Sequence, residues 1–308
     1  MTLSGIVLRN LRHYWRQHLG ALAGTALCAM VLVGALVVGD SVKATLRRLA
    51  DERIGKADVA LLAADGFFRE ALAGELGEKL GEEVVVAPVV VTRGKLSAPD
   101  GSVNVPNVQV LGVDQRFWKL APDPAATPDF AEGGFFANER LYLRVKAQDK
   151  GRLILRIEEP GLFSRDAPLS GERDNKFVSF NETLMGSVPA EGFGRFGLQG
   201  NQREPLTLFV PLKTLQKKMF RNFDEEAGQT TFANFLLLGS PGGESVTPEK
   251  AETALNEAWT LADAGLTVKE LRDSPIWSVR ARQVFLNDPV REAARKLAPD
   301  TTGALTYL

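Results

Sequence analysis

The sequence predicts an α+β protein with one N-terminal transmembrane helix followed by a mixed α/β domain. Residues 19–38 form an apolar run without a charged side chain, and from residue 57 onward strand-like and helix-like patterns alternate. With 308 residues, of which 44% are hydrophobic and 24% charged, the chain is globular in composition. It is long enough for one large or two modest domains beyond the membrane.

The apolar run has the length of a membrane span. A helix rises about 1.5 Å per residue, so about 20 apolar residues cross a hydrocarbon core of about 30 Å. A cleaved signal sequence is the main alternative, because Arg9, Arg12 and Arg16 precede the run. The run is longer than a signal's apolar region, and the small-residue pattern before Asp40 is poor. We therefore favour a span over residues 17–39, ahead of a signal sequence or a soluble core helix.

The charges that flank the span leave its orientation open. The positive-inside rule counts lysine and arginine near both ends of a span. Three arginines precede it, and a larger group follows it: Lys43, Arg47, Arg48, Arg53 and Lys56. Long domains are translocated largely regardless of their charge, so the count does not decide the side.

Residues 40–56 are predicted to continue the helix beyond the bilayer. Val42, Leu46 and Leu49 recur at helical spacing and would share one face. Two interpretations remain open: an amphipathic stalk that transmits motion, or a linker helix packed on its own domain.

The first part of the domain predicts a sheet covered by a helix. ADVALLA (57–63) has the pattern of a strand, and Phe68, Leu72, Leu76 and Leu80 recur every fourth residue, as on one helix face. A β-branched run interrupted at Pro88 and a valine-rich segment follow, which adds strands. The buried positions predicted for that last segment are Val103, Val105, Val108 and Val110.

The rest of the domain predicts more strands and two further helices. ERLYLRV (139–145) and GRLILRIEEP (151–160) alternate apolar and polar residues like antiparallel strands, followed by a turn-rich loop. A helix is predicted between a Thr247 cap, with Pro248 in its first turn, and Gly265. The other predicted strands are LTLFVPL, TTFANFLLLG, LTVKELR and IWSVRARQVFL, and DPVREAARKLA is the last helix.

The residue inventory predicts no catalytic residue, no cofactor and no metal site. The two histidines, His13 and His18, and the single cysteine, Cys28, lie in or beside the span. Triads and Cys/His zinc sites in the distal domain are thereby excluded. Carboxylate-only hydrolysis stays open because acidic residues are plentiful. The formal net charge of −1 gives no reason to expect nucleic acid.

Two glycine patterns invite a functional interpretation. Gly192, Gly194 and Gly197 in EGFGRFG have the spacing of a dinucleotide fingerprint, but LQGNQREP after them argues against the required helix. We predict a glycine-dependent turn there. Within the span, small residues four apart would let a second helix approach closely. These possible helix-packing residues are Gly20, Gly24, Ala35 and Gly39.

The chain resembles the N-terminal part of FtsX-like ABC transporter permeases, with a periplasmic core domain of the MacB type. The resemblance is carried in order by LRNLRHYWRQHLG, LVGALVVGDSVKATLRRLADERIGKAD, VQVLGVDQRFW and LFVPLKTLQKKM, and is most specific around Gly39, Asp40, Ser41 and Val42. It implies a cytoplasmic N-terminus, a periplasmic or extracytoplasmic domain at the inner membrane, a separate ABC ATPase subunit and a second permease copy or homodimer. Export, lipid extraction or mechanical signalling would be the function.

The resemblance also divides the chain. It implies a cytoplasmic stub over 1–16, a span over 17–39, a stalk over 40–56 and a core domain over 57–308. That domain would have two lobes, the first formed by about 57–118 with 206–308 and the second by about 119–205. Permeases of this family have further membrane helices, and none is found before Leu308, so we expect a truncated permease.

Two hypotheses from other classes stand beside this one. The chain could be a complete single-pass membrane protein whose external domain is a protein-interaction module. It could also be a membrane-anchored hydrolase that uses paired carboxylates, which only the abundance of Asp and Glu supports.

Overall fold

The computed structural model describes residues 3–63, 66–129, 134–146, 152–159, 177–198, 204–221, 231–270, 276–281 and 288–298. The chain divides into two compact units, Met1–Asp51 and Glu52–Leu308, and each is considered by itself.

The first unit consists of two helices. Helix α1 covers Leu3–His13, and helix α2 begins at Trp15 after the single residue Tyr14. Helix α2 is 40 residues long and ends at Ile54, so its last residues belong to the second unit. At about 1.5 Å per residue it measures about 60 Å, which is twice the thickness of a hydrocarbon core. The prediction that the helix continues through the stalk is confirmed as far as Ile54.

The second unit is built on an eight-stranded mixed sheet in the order β1-β10-β3-β4-β8-β5-β7-β6. The pairs β4–β8 and β5–β7 are parallel, and the other pairs are antiparallel. The strands are β1 (Val59–Leu62), β3 (Val85–Ser97), β4 (Asn104–Val113), β5 (Phe135–Asn138), β6 (Arg152–Glu158), β7 (Phe177–Val188), β8 (Thr207–Pro211) and β10 (Phe235–Gly239).

Six of these strands close on themselves because the long strand β3 has two partners on one of its sides. Its first half pairs with β10, and its last residues, from Gly94 on, pair with β6. The register with β4 shifts between Gly94 and Leu96, which is typical of a β-bulge that bends a strand. A Cβ at Gly94 would lie 2.8 Å from the Arg156 carbonyl oxygen, so glycine permits the close approach of β6.

Smaller elements cover and extend this sheet. Two short strands, β2 (Phe68–Arg69) and β9 (Phe232–Ala233), form one pair, and β11 (Leu266–Glu270) and β12 (Trp277–Ala281) form another. The helices are α3 (Ala71–Leu80), α4 (Gln115–Lys119), α5 (Glu139–Lys146), α6 (Leu212–Met219), α7 (Pro248–Ala258) and α8 (Asp288–Leu297).

Three hydrophobic clusters form the core of the described part of the second unit. One draws on all six strands of the closed set and includes Leu96, Val108 and Phe180. A second is rich in aromatic rings and is described with the candidate site. The third joins helices α3 and α7 to strand β10 through Leu72, Leu76, Leu236, Leu238 and Ala254. The four predicted valines Val103, Val105, Val108 and Val110 are all buried.

The prediction of a strand over ERLYLRV is wrong, because these residues form helix α5. Over seven residues, the apolar positions fit both a strand and a helix. The Asn138 side chain accepts a hydrogen bond from the Leu141 backbone N–H at 3.1 Å, as a helix-capping side chain does. Leu141 and Val145, four apart, are buried, whereas Leu143 between them is 62% exposed.

The predicted interruption at Pro88 is also wrong, since β3 runs through it. The Val89 carbonyl accepts a hydrogen bond from the Asn234 N–H on the β10 side. The alternation along the strand therefore turns the Pro88 nitrogen to the other side. There β4 ends at Val113 and offers no partner at that level, so the missing N–H of proline costs no ladder bond.

Two predicted helix boundaries need correction, and the remaining elements agree. Phe68 is buried but lies in strand β2, so helix α3 begins only at Ala71. Helix α7 has the Thr247 cap and Pro248 as predicted, yet it ends at Ala258. A turn follows, and Gly265, with φ of +69°, closes it. The other predicted strands are confirmed where they are described, with TTFANFLLLG divided into β9 and β10, and the last helix is confirmed. The ends of LTVKELR (271–272) and IWSVRARQVFL (282–286) and most of the turn-rich loop lie outside the described residues.

The predicted division into two lobes stays a prediction. Strands from residues 119–205 lie in the same eight-stranded sheet as strands from residues 57–118 and 206–308.

Candidate functional site

The apolar part of helix α2 is fully exposed in the structure. Side chains such as Leu22, Met30 and Leu36 are 67–70% exposed. Helix α2 is the single described helix that is long and apolar enough to cross a membrane, with none of its apolar window buried. The Thr25 hydroxyl donates to the carbonyls of Ala21 and Leu22 at 3.1 and 3.0 Å, so this polar group is satisfied inside the helix.

The predicted helix-packing residues lie on this exposed helix. A Cβ added at Gly20, Gly24 or Gly39 would meet no atom within 4 Å, and Ala35 is exposed. At about 100° per residue, the four positions fall within about 100° of the helix circumference. The structure thus places them on one face, and packing against a second helix stays a prediction.

The end of α2 is built into the second unit at a junction formed by Glu52, Gly55 and Lys56 with Leu120, Phe193 and Arg195. Gly55 ends the helix with φ of +62°, a conformation that favours glycine. The Lys56 N–H donates to the Leu120 carbonyl at 2.8 Å. A Cβ at Gly55 would lie 2.5 Å from both that carbonyl oxygen and the Phe193 ring. Glycine is therefore required here by conformation and by space.

Charged groups and the following strand complete the junction. Arg195 lies 3.3 Å from the Glu52 carboxylate and 2.7 Å from that of Glu204. The Asp58 N–H donates to Leu238 in strand β10 at 2.8 Å. The Asp58 carboxylate accepts hydrogen bonds from the backbone of Ser240 and Val246 and from the Ser245 hydroxyl. The chain that leaves the helix is thus fixed within a few residues.

An aromatic cluster lies beneath the junction. The Phe193 ring packs against Phe117 and Phe196 with centroid distances of 4.9 and 5.1 Å. Trp118 packs against Phe209 at 5.2 Å. All these rings are at most 4% exposed. These buried rings pack edge-on and at tilted angles, and the residues at the end of α2 pack against this rigid cluster.

The predicted glycine-dependent turn is confirmed at residues 190–194, which form a single helical turn. Gly192 and Gly194 pack so closely on the backbone of Ala126, Val188 and Pro189 that no Cβ fits. Phe193 between them has φ of +73°. No helix follows over residues 195–198 that would receive a pyrophosphate. The role of the turn is to place Phe193 under the end of α2.

A second charged cluster joins the start of α3 to the turn after α7. Arg69 donates to Asp263 at 2.8 Å and to Glu75 at 3.0 Å. Burial by itself raises the pKa of Asp263, but hydrogen bonds from Arg69 and Thr260 outweigh it and hold this pKa below its ordinary value. The hydrogen bonds to Asp263 and Glu75 raise the pKa of Arg69. The cluster is a paired structural brace, since its carboxylates are held by a cation.

A search of the described residues for metal-binding chemistry finds no group of three His, Cys, Asp or Glu side chains that could hold a metal ion. The predictions of no catalytic residue, no metal and no cofactor stay predictions. The residues that sequence reasoning missed are those of the junction, above all Gly55, Phe193 and Arg195. A glycine directly after a long helix was the one local signal, because glycine favours helix C-terminal caps.

The chain is similar to solved structures but matches no family model and no curated protein. Among these structures is the periplasmic region of MacB from Actinobacillus actinomycetemcomitans, with 12% sequence identity and a TM-score of 0.36, covering 82% of this chain and 97% of that one. The likeness is to a periplasmic region, and no enzyme family is found.

Proposed function

We propose that the chain is a permease subunit of an FtsX/MacB-type ABC transporter. Its N-terminus lies in the cytoplasm, α2 spans the inner membrane, and the second unit is the extracytoplasmic domain. The ordered sequence resemblance supports this proposal, as does an exposed apolar helix of spanning length. The domain would couple a partner ATPase to export, lipid extraction or mechanical signalling.

The observation that carries the proposal is the junction at the end of α2. Glu52, Gly55 and Lys56 are held by Arg195, Phe193 and Leu120 within one compact unit. A displacement that reaches the end of this helix would be passed to the aromatic cluster through close packing contacts. Close-packed interiors shift between discrete arrangements and do not deform continuously, so the cluster would have to move with the helix end. This is the geometry that a coupling subunit needs.

The partners are those that the sequence resemblance implies. In permeases of the FtsX-like kind a separate ABC ATPase hydrolyses ATP, so such a subunit is expected here. The resemblance also implies a second permease copy or a homodimer. The face formed by Gly20, Gly24, Ala35 and Gly39 would allow that copy to approach closely.

Orientation is tested with single cysteines in a Cys28→Ala background. Glu252→Cys lies on the exposed side of α7, and Ser4→Cys lies in α1. In intact cells, or spheroplasts where an outer membrane is present, a membrane-impermeant maleimide should label position 252. Position 4 should be labelled only after lysis. The reverse pattern, or equal labelling of both positions before lysis, contradicts the proposed orientation.

The transporter assignment is tested by purifying the full chain from its own host in a mild detergent. An ATP-hydrolysing subunit with a Walker A motif should copurify and should be absent when a Leu32→Arg variant that fails to insert is used. Recovery of the inserted chain without any such subunit contradicts the transporter proposal.

The alternative function, a protein-interaction module, is favoured by one surface. Ile276, directly before β12, and Trp277 in β12 are 57% and 66% exposed, and Val268 in β11 and Val279 in β12 are exposed too. Exposed apolar patches mark interaction sites in many proteins. An inserted chain that lacks an ATPase, and binds a partner in a way that a Trp277→Ser change abolishes, would establish this alternative.

A further inference from the structure

Helix α1 has two chemically distinct faces. Val7 and Leu11 lie four residues apart on one face with Leu8 at its edge, while Ile6 lies beside His13. Arg9, Arg12 and His13 lie on the opposite face. The apolar side chains are 54–76% exposed, so no described residue buries this face. An amphipathic helix with an exposed apolar face and basic residues opposite is stabilised at a surface that offers apolar groups to the first face and negative charges to the basic residues.

Two observations identify that surface as lipid. Only Tyr14 separates α1 from helix α2, and only Tyr14, Trp15 and Arg16 lie between the end of α1 and the proposed span over residues 17–39. Tyr14 and Trp15 stand at this boundary, where membrane proteins concentrate tyrosine and tryptophan. A helix tethered there reaches the headgroup region without any further linker.

The charge of this region selects an anionic leaflet. Residues 1–39 contain three arginines and no acidic residue. An anionic leaflet attracts basic segments next to a span. An acidic protein surface would satisfy the arginines too, but it would leave the apolar face of α1 in water unless it also offered a groove.

We propose that α1 lies in the headgroup interface of an anionic leaflet, with Val7 and Leu11 toward the acyl chains and Arg9 and Arg12 on lipid phosphates. This rests on the membrane anchoring in the proposed function. Helix α1 would thus fix the depth and rotation of the cytoplasmic end of α2, and its position would respond to the anionic lipid content of the membrane.

The test uses the full chain with Cys28→Ala and Val7→Cys, labelled with an environment-sensitive fluorophore. The protein is reconstituted into phosphatidylcholine vesicles with and without phosphatidylglycerol. The label should emit at shorter wavelength and resist a water-soluble quencher when phosphatidylglycerol is present. Arg9→Gln with Arg12→Gln should lower the interfacial-to-aqueous ratio about fivefold for each arginine removed. Salt at about 1 M should abolish the difference between lipids.

The control removes two charges at the other end of the span, through Lys43→Gln with Arg47→Gln, and should leave the label unchanged. A label equally exposed to water in both lipids, or equally buried in both, overturns the inference. So does protection that appears only with a copurified protein. Carbonate extraction of the same vesicles keeps the two proposals apart. If the chain is extracted, the anchoring itself fails, whereas an anchored chain with an aqueous label contradicts the inference alone.

Discussion

Strand β3 and helix α2 contain similar apolar runs that meet opposite fates. In β3, Val86, Val89 and Val90 are at most 4% exposed, whereas Leu32 and Val33 in α2 are 67% and 59% exposed. A helix satisfies its own backbone hydrogen bonds, while a strand needs neighbours, and β3 obtains them from β10, β4 and β6. Hydrophobicity therefore does not decide burial in protein by itself. An apolar run that completes its own hydrogen bonds is free to use lipid instead.

The largest expected effect lies in the protein-buried half of this comparison. Phe117→Ala removes a ring at the centre of the aromatic cluster, where Phe193, Phe196 and Trp118 all lie within 5.1 Å between centroids. We expect the free energy of unfolding to fall by about 3–5 kcal/mol, because a cavity remains. Urea unfolding of the full chain in detergent, followed by tryptophan fluorescence, measures this.

Phe177→Ala is the matched control. Its ring is 59% exposed, so the same truncation should change the unfolding free energy by about 0.5 kcal/mol or less. Equal effects of the two substitutions would show that the aromatic cluster does not stabilise the unit.

A charge in the middle of α2 tests whether this exposed apolar helix lies in a membrane. Leu32→Arg should disfavour membrane insertion by about 2.5–3.5 kcal/mol, because the guanidinium would lie in hydrocarbon. Leu46→Arg, in the same helix and similarly exposed at 60%, lies in the predicted stalk and should insert normally. Alkaline carbonate extraction followed by immunoblotting separates the two. A Leu32→Arg chain that stays in the membrane fraction as fully as the parent chain contradicts the assignment of this segment as a span.

These two regions also differ in how much of them could be predicted. The long apolar helix and most strands could be predicted from local sequence patterns. An uninterrupted apolar run of this length is typical of a helix, and a short β-branched run is typical of a strand. Helix α5 did not follow, since Leu141 and Val145 fit both periods and the deciding bond comes from the Asn138 side chain. Strand β3 passes Pro88 because its neighbour ends there, which no local pattern reveals.

The candidate site was the least predictable part. Gly55 and Leu120 are far apart in the sequence, both are far from the segment with Phe193 and Arg195, and the tertiary fold brings the three together. The glycine string around Phe193 was recognised as a turn, but its purpose depends on contacts with residues more than a hundred positions earlier. Local propensity cannot specify such long-range contacts.

The Arg69–Asp263 brace predicts a pH dependence of the stability of the second unit. The folded pKa of Asp263 lies below its unfolded value of about 3.9, so its contribution to stability is complete above that value and is lost as pH falls through the folded pKa. Asp263→Asn should destabilise the second unit by about 2 kcal/mol at pH 7, through loss of charge-assisted hydrogen bonds. The difference in unfolding free energy between this variant and the parent chain should become smaller below about pH 4.

Unfolding measured from pH 7 to pH 3 provides the test. Asp100→Asn is the control: its pKa is also lowered, through hydrogen bonds from Ser102, but the carboxylate is on an exposed turn, so its effect should be smaller. A gap for Asp263→Asn that stays constant down to pH 3 would contradict the linkage.

The smallest expected effect concerns the Glu52–Arg195 ion pair of the junction, within the second unit. Glu52→Gln should lower the unfolding free energy by about 0.2–1 kcal/mol, because both side chains of the Glu52–Arg195 pair are about one-third exposed and screened by water. A double-mutant cycle with Arg195→Gln isolates the coupling energy. The pair Lys79–Glu257, at 2.9 Å on the surface between α3 and α7, gives the matched cycle. If the junction acts as a coupling element, Glu52→Gln should lower the ATPase rate of the purified complex while the Glu257→Gln change does not. If the Glu52→Gln variant has the ATPase rate of the parent complex although the double-mutant cycle gives a measurable interaction energy, the Glu52–Arg195 pair is only a structural contact. Transmission of motion would then rest on Gly55 and Phe193.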